Sequence, residues 1–324
     1  MTRYIDLTPI MTYPPYACPA CHHELRKEGE TWRCHGCGKV YPIRDRLPIL
    51  IADTNLDPFK GEEQAFHDEI SRTAPPRGLV SRNSSFHWHF LNPMRRLPEG
   101  TNVLEVACGT RADGIEIAKA GKNVSSIDIS PVSVAKSRWL ASGAGVGDRM
   151  RFAVADAEHL PFTDNSFDAV FIAASFHHMP HQVQALKELA RVVKPGGLVI
   201  WGIEPAQWPY RTVYRWLRPV KKFIRENRSR EHNSVADDNT EGYTKPMIRQ
   251  IFRDAGLNIV EVRRIKYLGS LYEQFIRFLG RLMHRPIGTW RTVDHALAYI
   301  DDGIRFIPGF NMLNWHFNVI SRKP

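Results

Sequence analysis

From Asn102 to Glu204, β-branched runs alternate with stretches of helical periodicity, and this alternation constrains the fold more than any other feature of the chain. The strands expected are NVLEVAC (102–108), KNVSSIDI (122–129), RMRFAVAD (149–156), FDAVFIAAS (167–175) and GGLVIWGIE (196–204), with helices over 112–120, 131–142 and 181–193. Strands joined by helices of this length make right-handed crossovers and lie in a parallel sheet covered on both faces, so the fold class is α/β. Lys194-Pro195-Gly196-Gly197 reads as a tight turn ahead of the fifth strand, with Pro fixing φ and Gly supplying φ > 0. After Trp208 the alternation stops. Ile248, Ile251 and Phe252 then mark one helical face that ends at Gly256, LNIVEVRRI (257–265) reads as a sixth strand, and MLNWHFNVISRKP (312–324) as a seventh.

The first strand leads through VLEVACGTRADG (103–114) into a helix, the arrangement that holds a nucleotide in several folds. A phosphate loop is excluded: Gly109 and Gly114 have its spacing, but Ile115 and Glu116 stand where Lys and a hydroxyl residue would be required. The dinucleotide fingerprint fails because Arg111 occupies its second glycine position. An adenosine ligand without a pyrophosphate remains. Asp128, ending the second strand, sits where a carboxylate accepts from two ribose hydroxyls. Asp156 and Ala157, ending the third, suit an adenine edge.

These segments, together with SSIDIS, ADAEHLPF, SFDAVFIAASFHHM and RVVKPGGLVIWGIEP, resemble the class I S-adenosylmethionine-dependent methyltransferases in order and spacing over roughly 99–205. The resemblance implies a Rossmann-like, mostly parallel seven-stranded sheet with helices on both faces. It further implies that Glu105 bonds the cofactor's amino group through the loop formed with Ala107 and Thr110, and that Cys108 and Gly109 bring backbone against its methionine moiety. Asp128 and Ile129 would hold ribose and adenine, Asp156 and Ala157 the adenine edge, and Ala173 would lie beneath the sulfonium. Two positions depart from the family pattern: Ala107 and Arg111 stand at glycine positions. A guanidinium at Arg111, near a helix N-terminus, suits the cofactor's carboxylate.

Cys18-x2-Cys21 and Cys34-x2-Cys37, separated by 12 residues, suit a tetrahedral zinc site of structural type with four thiolate ligands. With the following KVYPIRDRLPILI they resemble the small zinc-binding methyltransferase activators over about 15–51. Cys108 is not part of this set. The expected organisation is a zinc-ribbon module (1–51), a helical connector (52–98), the cofactor-binding core (99–205) and a C-terminal region (206–324) that completes the sheet and supplies an acceptor lid.

Methyl transfer requires an aligned acceptor and, for some acceptors, a base; His177 and His178 are the catalytic candidates, with His87 and His89 behind them. Net charge is +10, and residues 206–324 hold 21 Lys or Arg against 11 Asp or Glu. The basic, aromatic stretch 208–230 suits RNA, an anionic membrane surface or an acceptor lid. The acceptor expected is a small molecule or a lipid- or sugar-linked one, with RNA as the alternative. A non-catalytic scaffold that binds the cofactor is a third reading. With neither a signal-type segment nor about 18 consecutive apolar residues, the chain is expected in the cytoplasm, peripheral to a membrane if the basic stretch docks there.

Overall fold

The computed structural model describes residues 13–52, 56–73, 85–110, 113–209, 211–212, 234, 236, 240–283, 287–288 and 290–324. An N-terminal ribbon contributes β1 (Leu25–Glu28), β2 (Thr31–Cys34), β3 (Val40–Arg44) and β4 (Leu47–Leu50). Two helices follow, α1 (Pro58–Thr73) and α2 (Ser85–Arg95). The alternating core comprises β5 (Asn102–Val106), α3 (Gly114–Lys119), β6 (Asn123–Asp128), α4 (Pro131–Gly143), β7 (Met150–Ala155), β8 (Phe167–Ala173), α5 (Gln182–Val192) and β9 (Val193–Pro205). The C-terminal part adds α6 (Lys245–Asp254), β10 (Asn258–Ile265), α7 (Leu268–Leu282), α8 (Arg291–Ile304) and β11 (His316–Arg322).

All eleven strands form one sheet, in the order β1-β2-β3-β4-β7-β6-β5-β8-β9-β11-β10. Strands β4 to β9 along the middle pair in parallel, while β11 runs antiparallel between β9 and β10. The seven core strands are those expected from the sequence, in a Rossmann-like order that reverses at β5 and β8. Side-chain alternation along β5 divides the core. Leu104 and Val106 pack with Leu186 of α5 and Phe252 of α6, whereas Val103 packs with Phe90 of α2, Ile115 of α3 and Val134 of α4. Each such side chain contributes about 1.5–3 kcal/mol on leaving water. Helix starts obey local chemistry: Ser130 caps α4 by accepting from the Ser133 N–H, and Thr244 caps α6 by accepting from the Met247 N–H.

Two features differ from the sequence reading in detail. The ribbon is continuous with the core, because β4 pairs in parallel with β7, Ile49 opposite Val154 and Leu50 opposite Ala155. The Lys194–Gly197 turn lies inside β9 as an irregularity, where pairing to β8 jumps from Val193 to Leu198 and Gly196 takes φ +75°. Of the basic stretch 208–230, only Trp208, Pro209, Arg211 and Thr212 fall among the described residues.

Candidate active site

The crevice lies at the carboxyl ends of β5 to β8, where the strand order reverses and open α/β sheets bind ligands. Glu105, buried on β5, accepts from the Gly114 N–H (2.8 Å) and from the Ser126 hydroxyl (2.7 Å). It thereby ties the loop to the start of α3. A Cβ on Gly114 would come within 2.5 Å of Glu105 Oε2, so this glycine is needed for the close approach. Within the loop, Ala107 and Gly109 both take φ +54°, a left-handed conformation that costs an alanine about 1–2 kcal/mol. The Cys108 N–H donates to the Ile127 carbonyl (3.0 Å), and its buried thiol is pushed well above the ordinary range by burial and by the Asp128 and Glu105 carboxylates. Thr110 is half-buried; Arg111 lies outside the described residues.

Asp128 closes the loop from the next strand. It accepts from the Gly109 N–H (2.8 Å) and the Ser130 N–H (2.8 Å), and the Ser137 hydroxyl donates to the Gly109 carbonyl (2.6 Å). Burial raises the Asp128 carboxyl, while His67 and the two N–H donors pull it back down. Asp156, at the end of β7, accepts from the Glu158 N–H (2.9 Å), and Ala157 beside it is buried. Ala173 ends β8. Ala174, at φ +51°, then turns the chain into the short helical turn Phe176–His178.

The two histidines of that turn go to different partners. His177 is drawn to Glu204 of β9 (Nδ1–Oε2 2.8 Å), whose fully buried carboxylate also accepts from the Ser175, Phe176 and His177 N–H groups. His178 pairs with Glu63 of α1 (Nδ1–Oε2 2.7 Å). His87 and His89 sit elsewhere, on α2: His87 lies 3.6 Å from Asp113, and His89 contacts Asn318 and Glu261.

Sequence reasoning gave 52–98 as a helical connector and placed none of the residues of α1 at the crevice. Lys60 bridges Asp156 (2.7 Å) and Glu158 (2.6 Å), Gln64 donates to the Ile129 carbonyl (2.7 Å), Asp68 accepts from the Ser130 hydroxyl, and Ser71 meets Ser133. Residues 60, 63/64, 67/68 and 71 repeat at helical spacing, so α1 covers the crevice with a polar stripe. Glu63 is held below the usual carboxylate range: burial raises it, but hydrogen bonds from His178, His67 and the Ala236 N–H outweigh that.

In the ribbon, Cys18 Sγ lies 3.6 Å from Cys37 Sγ and Cys21 Sγ lies 3.4 Å from Cys34 Sγ, with the Tyr41 hydroxyl 3.1 Å from Cys18. All four sulfurs lie within 4.8 Å of one another and none is in a disulfide. A tetrahedral ion with bonds of about 2.3 Å to sulfur has edges of about 3.8 Å, so the cluster fits zinc with little movement.

The fold and crevice are those of a Rossmann-like α/β protein with a cleft at the strand ends. Residues 104–201 match the family described as methyltransferase domain. A methyltransferase of Streptomyces halstedii is 38% identical over 99 residues, which cover 30% of this chain and 36% of that one. A demethylmenaquinone methyltransferase of Listeria welshimeri is 28% identical over 226 residues, covering 64% of this chain and 93% of its own. Among solved structures, the cyclase SpnF superposes with a TM-score of 0.56 at 20% identity, covering 82% of this chain and 97% of its own, a likeness of fold. The chain spans 32–40% of the length of the first four curated relatives it matches.

Proposed function

We propose that this chain is an S-adenosyl-L-methionine-dependent methyltransferase whose acceptor is an apolar small molecule, lipid-linked or sugar-linked. The observation that carries this reading is the loop of β5, fixed at one end by Glu105 on Gly114 and at the other by Asp128 on Gly109, inside the matched domain. When bound, the cofactor supplies a methyl group activated by a positively charged sulfur. Glu105 and the Ala107–Thr110 backbone would seat its methionine end, Asp128 and Ile129 its ribose, and Asp156 with Ala157 its adenine edge. Arg111 would meet its carboxylate. Ala173 offers a small side chain beneath the reacting sulfur, where a larger one would obstruct the acceptor's line of approach. His177 and His178, oriented by Glu204 and Glu63, stand as acceptors for any proton the nucleophile must lose.

An apolar acceptor is supported by the relatives that act on demethylmenaquinone and sterols, and by α7. Leu268, Leu271, Phe275, Phe278 and Leu282 form an exposed stripe along that helix, 40–64% accessible. In this reading the ribbon (1–51) binds structural zinc through Cys18, Cys21, Cys34 and Cys37. Residues 52–98 are a helical connector to the core (99–205), and 206–324 receives the acceptor.

The test is purified protein with methyl-labelled S-adenosyl-L-methionine, offered separately a lipid extract, polar metabolites and RNA. Label is expected in the lipid extract. Label in RNA alone overturns the acceptor class, and calorimetry showing no cofactor uptake overturns the methyltransferase reading itself.

A further inference from the structure

We propose that Glu63, His67 and His178 form a second divalent-metal site, built of nitrogen and oxygen ligands, at the edge of the crevice and separate from the four-cysteine cluster. Glu63 and His67 lie one turn apart on the same face of α1, the i, i+4 spacing by which one helix offers two ligands to an ion. His178 comes from the turn after β8 and completes the set. One ligating atom from each lies within 4.8 Å of the other two. Glu63 Oε2 is 2.7 Å from His178 Nδ1 and 3.6 Å from His67 Nε2. Zinc with bonds of about 2.0–2.1 Å to nitrogen and oxygen has tetrahedral edges of about 3.3 Å, which those two separations bracket. The imidazoles stand edge to face, 5.4 Å between centroids, and His67 is 38% exposed, so a small rotation of its ring closes the third edge.

The surroundings resemble a held ligand set. Glu63 is buried, and its other oxygen, Oε1, accepts from the Ala236 N–H (2.9 Å), an outer contact that fixes the carboxylate with Oε2 toward both imidazoles. The Ser234 hydroxyl lies 3.4 Å from His178 Nδ1. Three protein ligands leave a coordination position for water or an acceptor oxygen, unlike the four thiolates of the ribbon. Gln64 and Asp68, the neighbours of these ligands on α1, bond Ile129 and Ser130 at the end of β6, so that position lies beside the methyl-donor crevice. The ion would therefore suit an acceptor bearing a hydroxyl or carbonyl oxygen, with His178 then serving as a ligand and His177, held by Glu204, left as the proton acceptor. That consequence rests on the methyltransferase reading; binding of the ion does not.

The full chain, loaded with zinc and dialysed, is expected to hold two ions by elemental analysis. Glu63→Gln, His67→Ala and His178→Ala should each hold one, with Zn2+ affinity at the second site at least tenfold weaker. Titrated with Co2+ after the ribbon is filled with zinc, the wild type should show visible d–d absorption without a thiolate charge-transfer band. Retention of the first ion and of S-adenosyl-L-methionine binding by calorimetry reports that the variants are folded. A wild type that holds one ion, or variants that keep the second unchanged, overturns the proposal and marks the cluster as a hydrogen-bonded one. A wild type that takes up no S-adenosyl-L-methionine while holding two ions overturns the methyltransferase reading instead.

Discussion

Ala107 occupies a left-handed conformation, φ +54°, in the loop that would seat the methionine end of the cofactor. Its methyl is strained there whatever the loop binds, so Ala107→Gly is expected to raise stability by about 1 kcal/mol. By differential scanning calorimetry that is a rise of about 2–4 °C in Tm. A fall would mean that the methyl makes packing contacts worth more than the strain. His316, at the start of β11, has an Nδ1 shut off from solvent and without a hydrogen-bond partner among the described residues. Burial, then Lys266 and His177, hold its pKa well below the ordinary value. The unfolded chain takes up a proton below about pH 6.5 while the folded imidazole stays neutral, so stability falls as pH drops through that value. His316→Asn should flatten the Tm profile between about pH 6.5 and 5; an unchanged slope would assign it to other groups. At this scale the sequence singled out residues whose partners are near in the chain or which stand at a strand end: Glu105, Gly109, Asp128 and Asp156. It concealed Glu204 and Lys60, whose partners lie 27 and 96 residues away, because nothing local marks a carboxylate that will collect a distant turn's N–H groups.

Among elements, the strands and helices of 102–205 were readable because both sheet faces are buried, which forces apolar runs and interrupts them at turns. Helix α1 was not. Its inward face carries Lys60, Glu63, Gln64, His67, Asp68 and Ser71, so apolar periodicity carries no mark of the surface it covers. Lys60 is the strongest fastening of that cover, with two carboxylates within 2.7 Å and only 10% of its side chain accessible. Removing the cation leaves Asp156 and Glu158 facing each other in a poorly solvated site. Lys60→Ala is expected to destabilise by about 3 kcal/mol and to speed hydrogen exchange across α1 and the 156–160 turn. Lys60→Arg, which keeps the charge, should restore most of the protection. Equal damage from both would trace the loss to packing of the stem rather than to charge.

Over the whole molecule, the ribbon and the core share a sheet, and the ribbon's joint to β7 is reinforced by Arg151, whose guanidinium lies 4.4 Å over Tyr16 and donates to Ser125 and to the Pro14 carbonyl. Removing the zinc proposed for the four cysteines should therefore unsettle β7 as well as β1 to β4. Treatment with a chelator is expected to lower a single cooperative transition; two separate transitions would show that the ribbon folds independently. The opposite end of the sheet presents a different problem. Between Leu268 and Leu313, fourteen large apolar side chains are exposed among the described residues, five of them in one stripe on α7. Single exposed apolar residues are ordinary on a protein surface, whereas a row of this length marks a contact. No helix among the described residues is long and apolar enough to cross a membrane, so contact with lipid would be interfacial, with α7 lying along the surface. The net positive charge of residues 206–324 has the sign that anionic headgroups attract. Sedimentation with vesicles of phosphatidylglycerol and phosphatidylcholine is expected to carry the protein down, and to do so less as salt is raised. Leu271→Glu with Phe275→Glu should abolish it while leaving S-adenosyl-L-methionine affinity unchanged, since neither residue borders the crevice at β5 to β8. Sedimentation indifferent to these charges, or a wild type that stays in the supernatant while chromatography shows a dimer that the double variant dissolves, would assign the stripe to a second copy of the chain.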